Sequence, residues 1–168
     1  MTPATNTLDP ARLAPAELAA WRGFLRVHAA LTKQLDAEIE AAHGLALSSY
    51  EVLINLQAAP DKRLRMADLA ERSLLSRSGM TRLVDRLEKQ GLLARDHCVS
   101  DARGCFAVIT DAGEAWLAKA RATHLDGVRE RFLAHLGPDD LERLAALWER
   151  VVPGSTTGGG SCGDMAKT

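Results

Sequence analysis

The chain has 168 residues, enough for one ordinary domain or one domain with a dimerisation element. Hydrophobic residues make up 46% and charged residues 26%, the balance of a globular protein, and the formal net charge is −1. No apolar run nears the roughly 18–20 residues of a membrane span, no basic-then-apolar leader is present, and three cysteines make no disulfide framework, so the expected setting is the cytoplasm, away from membranes.

Residues 1–14 read as a flexible arm. From Pro15 to His43 a long helix is expected from the spacing of Leu18, Trp21, Leu25, His28, Leu35, Ile39 and Ala42, with Gly44 as its stop. Leu47–Ala58 is a second helix, for which Ser48 is the expected N-cap and Val52, Leu53 and Leu56 the inward positions. The turn AAPDKR ends it, and a short helix over Met66–Arg72 follows.

The next segment, SRSGMTRLVDRLEKQG, places Met80, Leu83, Val84 and Leu87 at i, i+3, i+4 and i+7, one face of an amphipathic helix. Ser76 is its expected N-cap, Gly91 its C′ stop, and Leu75 with Met80 a hydrophobic staple. Two short helices joined this closely make a helix-turn-helix whose second member is the recognition helix. At about 100° per residue, Ser78, Thr81, Arg82 and Asp85 face away from the core. Hydroxyls and guanidinium groups there suit phosphates and base edges.

Two β-prone runs, LLARDHC and GCFAVIT, flank a polar loop and predict a hairpin with Val99–Gly104 at its tip. Thr110 is expected to cap a helix reaching about Leu136, with Trp116, Leu125, Val128 and Phe132 inward. Gly137-Pro138 breaks it, and Asp139–Val152 forms a last helix with Leu141, Leu144, Ala145, Trp148 and Val151 on one face. From Pro153 to residue 168 the composition is that of a flexible tail. The first helix and the last two hold more apolar surface than the small central core covers, which points to a second copy of the chain.

Charge is unevenly spread. Residues 61–104 carry ten Lys or Arg against seven Asp or Glu, +3, which leaves −4 on the rest. Such a patch marks either a nucleic-acid face or a solvated surface.

The ordered combination resembles the multiple-antibiotic-resistance regulator (MarR) family over roughly Trp21 to Val152. The matching residues are Leu69-Ala70, Ser78-Gly79-Met80-Thr81-Arg82-Leu83-Val84, Leu87 to Leu92, Asp101-Ala102-Arg103-Gly104 and Ile109-Thr110-Asp111-Ala112-Gly113. The resemblance implies a mainly α fold: a winged helix-turn-helix with a small β-hairpin wing and long N- and C-terminal dimerisation helices. On that reading residues 15–152 are one domain, with a DNA-binding lobe over roughly 46–110 and dimerisation helices at 15–44 and 111–152. It implies a homodimeric transcriptional regulator, mostly of the repressor type, that binds a double-stranded DNA operator and is often released by a small aromatic or phenolic effector or by oxidation.

The DNA-facing residues expected in the recognition helix are Ser76, Arg77, Ser78, Thr81, Arg82 and Arg86. Arg86 sits toward the flank, either a phosphate contact or the partner of a nearby acid. In the wing, Arg103 suits a narrow minor groove, and the resemblance gives Asp101 the role of holding its guanidinium. The other reading is a tight turn in which Asp101 makes an Asx-type bond and Arg103 is solvated. Trp21, His28 and Tyr50 form a candidate ligand pocket by the same resemblance; as residues at helical spacing they equally fit a core.

Cys98 and Cys105 bracket the wing loop, where a disulfide would lock it; the plainer reading is two small thiols, since redox-sensing branches of the family carry their cysteine in the first helix and none precedes Cys98 here. His97-Cys98 with Cys105 falls short of the four ligands zinc takes, so no metal is expected. No nucleophile elbow, phosphate loop, metalloprotease or dinucleotide motif occurs, and no catalytic residue or cofactor is expected. The competing function is a winged helix used as a protein-interaction module, which exposed apolar residues on the recognition helix would favour.

Overall fold

The computed structural model describes residues 12–73, 76–97 and 105–156, and helices dominate it. These residues separate after Gln34 into two compact units. The first holds the start of α1 (Pro15–His43), where Glu17 Oε2 accepts from the backbone N–H of Ala14 at 2.8 Å. Trp21, Phe24, Leu25 and Val27 are all exposed on it.

In the second unit, α2 (Leu47–Ala58) is buried almost all round through Leu47, Tyr50, Val52, Leu53, Ile54 and Leu56, the pattern of a helix at the centre of a core. Its N-cap is Ala46 and not Ser48. The first orphan N–H, that of Leu47, is instead taken by Asp36 Oδ1 of α1 at 2.7 Å. A carboxylate distant in sequence thus does the work a local hydroxyl was expected to do.

After α2 the chain turns through Asp61 and Lys62, both with φ of +54°. The turn launches β1 (Arg63–Arg65), which the sequence pattern had not disclosed. β1 then runs into α3 (Met66–Arg72), and α4 (Arg77–Lys89) follows as the second helix of the motif. Met80, Leu83, Val84 and Leu87 of α4 are buried as expected, each burial stabilising by about 1.5–3 kcal/mol relative to exposure. Ser76 Oγ accepts from the backbone N–H of Gly79 at 3.1 Å, which is the expected N-cap. Gly91, at φ +72°, ends the helix in the left-handed conformation that a side chain would oppose.

The expected hairpin is β2 (Leu93–His97) and β3 (Cys105–Ile109), and β1 adds to it, giving an antiparallel sheet of order β1-β3-β2. Leu64, Leu93, Ala107 and Ile109 turn inward and are buried. The opposite face carries Arg63, Arg65, Phe106 and Asp96, since Arg65 and Asp96 both pair with Phe106.

Thr110 caps α5 (Asp111–Arg131), accepting from Gly113 N–H at 3.1 Å and donating to the Gly91 carbonyl at 2.7 Å. The α-helix stops at Arg131, short of the expected Leu136, and passes into a 3₁₀ turn at Leu133–His135. Leu117 and Ala120 supply its buried core contacts; Trp116, Leu125, Val128 and Phe132 are only half-buried. Trp116 Nε1 donates to the His43 carbonyl at 3.2 Å, tying α5 to the end of α1. The last helix, α6 (Pro138–Val151), buries none of its residues: Leu141, Leu147, Trp148 and Val151 are 38%, 48%, 38% and 70% exposed. No described helix is long and apolar enough to cross a membrane.

Candidate nucleic-acid interface

The outward face of α4 follows from its inward one. With Met80, Leu83, Val84 and Leu87 in the core, Ser78, Thr81, Arg82 and Arg86 lie exposed. Ser76 and Ser78 hydroxyls stand 3.3 Å apart at the start of the helix, where partial positive charge favours an anion. Arg82 Nε donates to the Ser78 carbonyl at 3.3 Å, and among the described residues its terminal nitrogens have no partner, which suits a bidentate contact. Arg86 makes no ion pair among the described residues, so of its two readings the intramolecular one has no partner there. Arg77 opens the helix at its first position. Asp101 and Arg103, with Cys98, lie outside the described residues.

Sequence reasoning missed Arg95. From β2 its two terminal nitrogens reach Asp85 Oδ1 and Glu88 Oε2 of α4, each at 2.5 Å, and its backbone N–H donates to Glu88 Oε1 at 3.0 Å. Burial disfavours the arginine's charge, but Asp85 and Glu88 outweigh it and raise its pKa above the ordinary value. The arrangement does two things. It joins the wing's first strand to the recognition helix, and it draws both carboxylates of that helix toward the sheet. The exposed side chains in the first turns, Ser78, Thr81 and Arg82, are hydroxyl and guanidinium. The signal was present in sequence as two acids three residues apart on an otherwise cationic helix.

The candidate pocket residues fall in different units. Trp21 and His28 flank Phe24 in the first, with ring centroids 5.9 Å and 6.2 Å from it, and both are exposed. Tyr50 is buried in the second, its ring 4.6 Å from that of His124 on α5. Burial lowers the His124 pKa below its ordinary 6.5, and its Nδ1 is buried with no hydrogen-bond partner among the described residues. Cys105 is a free, half-buried thiol. Among the described residues no group of three His, Cys, Asp or Glu side chains is placed to hold a metal ion.

Comparison with known proteins gives the same architecture. The MarR family model matches residues 43–104. The crystal structure of AbsC, a MarR family transcriptional regulator from Streptomyces coelicolor, is 36% identical, with a TM-score of 0.76 over 83% of this chain and 94% of that one. Sco3205 from the same organism, a MarR family transcriptional regulator solved in complex with DNA, is 33% identical, with a TM-score of 0.79 over 85% of this chain and 93% of that one. The transcriptional repressor YetL of Bacillus subtilis is 29% identical over 127 residues, 72% of this chain and 76% of its own. A shared fold over nearly the whole of the two solved Streptomyces coelicolor regulators, each more than 30% identical, together with the recognition helix and sheet, places the chain in the MarR family of transcriptional regulators.

Proposed function

We propose that the chain is a sequence-specific, double-stranded-DNA-binding repressor that acts as a homodimer on a pseudo-palindromic operator. The observation that carries this is the recognition helix itself: a buried apolar stripe, its two carboxylates bonded to Arg95, and an exposed face of Ser78, Thr81, Arg82 and Arg86. Serine, threonine and arginine on a helix of this motif are the groups that reach base edges and phosphates in a major groove. The polar face also disfavours a protein-interaction module, which needs apolar anchors there. The neighbour Sco3205 was solved with DNA, and the relative YetL is named a repressor. On this reading Arg103 of the wing enters the adjacent minor groove, with Asp101 holding its guanidinium.

The dimer reading is supported by α6, which exposes Leu141, Leu147, Trp148 and Val151 and buries nothing, and by the exposed Trp21, Phe24, Leu25 and Val27 of α1. Apolar surface on this scale calls for cover. A second copy supplies it with two-fold symmetry, so residues 15–44 and 111–152 are assigned to dimerisation. Control by a small aromatic or phenolic effector is supported by the Tyr50–His124 pair, where a planar ring and an unsatisfied buried nitrogen suit such a molecule's ring and oxygen.

Selection from a random duplex library, with sedimentation of the resulting complex, tests the function. The expected product is a pseudo-palindrome with half-sites about 10–10.5 bp apart, bound by two protomers. A monomer that holds one isolated half-site at full affinity, or a selection that enriches nothing, overturns the proposal.

A further inference from the structure

The sheet face turned away from the core carries charge that the recognition helix does not use. Arg63 and Arg65 project from β1 onto the same ring: their guanidinium carbons lie 4.3 Å and 5.0 Å from the centroid of Phe106 on β3. Arg63 also reaches across that strand to Asp96 of β2, at 3.3 Å. Two like charges on one phenyl ring repel each other, and the negative face of the ring offsets part of that repulsion. The stacking also orients two planar forks before any ligand arrives, and such forks match phosphate oxygens.

The position of this cluster matters as much as its charge. The Arg65, Phe106 and Asp96 rung lies one pair from the last described rung of the hairpin, His97 with Cys105, on the side of the wing loop. Arg65 is also the residue that precedes α3. In a helix-turn-helix the first helix crosses the sugar-phosphate backbone while the second enters the groove. The cluster therefore stands between two elements that flank bound DNA. Among the described residues the face around Phe106 offers Ala94 and Val108 as apolar neighbours, too little to seat a protein surface.

We propose that Arg63 and Arg65, braced on Phe106, make a second DNA contact, to backbone phosphates flanking the bases that α4 reads. This rests on the DNA-binding reading above. The phosphate contact carries no sequence information, so it adds affinity to every duplex and steepens the salt dependence.

The test is a salt series of binding constants for wild type, Arg65→Gln, Arg65→Lys and the double variant Arg63→Gln/Arg65→Gln, on a long mixed-sequence duplex and on the selected operator. Arg65→Gln should make the slope of log K against log salt shallower by about 0.9 per bound protomer, and the double variant by about twice that, on both duplexes. Arg65→Lys keeps the charge and should keep the slope. Because Arg65 is exposed, its single variants fold and carry the test if the double variant does not. An unchanged slope for Arg65→Gln overturns the proposal, as does a loss confined to the operator. Wild type that binds poly-glutamate through Arg65 with the DNA slopes unaltered overturns it too and assigns the face to an acidic protein. Wild type that binds neither duplex refutes the DNA-binding reading itself.

Discussion

Replacing Arg95 with Met keeps most of the side-chain stem and removes the charge that joins β2 to the recognition helix. Two ion pairs at 2.5 Å are lost, from an arginine side chain 19% exposed to acids 46% and 37% exposed. The exposure of the acids limits each pair to about 0.2–1 kcal/mol, and the mostly covered, two-armed arginine favours the upper part of that range. Asp85 and Glu88, three residues apart on one helix, are then left to repel each other at about 0.2–0.5 kcal/mol. The expected destabilisation is about 1–2 kcal/mol. Urea unfolding should show it at low salt and a smaller effect near 1 M, where the Debye length is about 3 Å. A double-mutant cycle with Asp85→Asn should give a coupling of about 0.5–1 kcal/mol at low salt. Coupling below about 0.3 kcal/mol, or an effect indifferent to salt, would refute the reasoning, because the arginine would then act through its stem and not its charge.

A methyl group at Gly113 would sit 2.0 Å from the Leu92 carbonyl oxygen, which is backbone and cannot swing aside, so Gly113→Ala should cost about 3 kcal/mol in urea unfolding; a cost under about 1 kcal/mol would show that α5 shifts freely. Burial holds the folded-state pKa of His124 below its ordinary 6.5, so below that pH the unfolded chain binds more protons than the folded one. The stability His124 permits is therefore complete above about pH 6.5 and declines as pH falls toward the folded-state value. His124→Gln should flatten the pH dependence of unfolding as the pH falls below about 6.5, and identical slopes for variant and wild type would contradict a partly buried imidazole held neutral.

Local patterns determined much of this protein. The stripe Met80, Leu83, Val84 and Leu87 defines a helix face by its spacing alone, and that face also decides which residues point outward. The caps at Ser76 and Thr110 were legible because their hydroxyls bond N–H groups only three residues on. Tertiary structure decided what depends on partners far along the chain. The cap of α2 comes from Asp36, eleven residues upstream, so the nearby Ser48 misled. β1 is three residues with arginine at both ends, and it is a strand only because β3 lies beside it. The half-burial of Trp116, Val128 and Phe132, and the bare apolar face of α6, show the same principle: periodicity tells which side of a helix is apolar, but what covers that side is set by what packs against it. The sequence shows the acids Asp85 and Glu88 but not that Arg95 is their partner, nor the stack of Arg63, Phe106 and Arg65, because a charge's role is set by the groups that folding brings within a few ångströms, over a range where water no longer screens them fully.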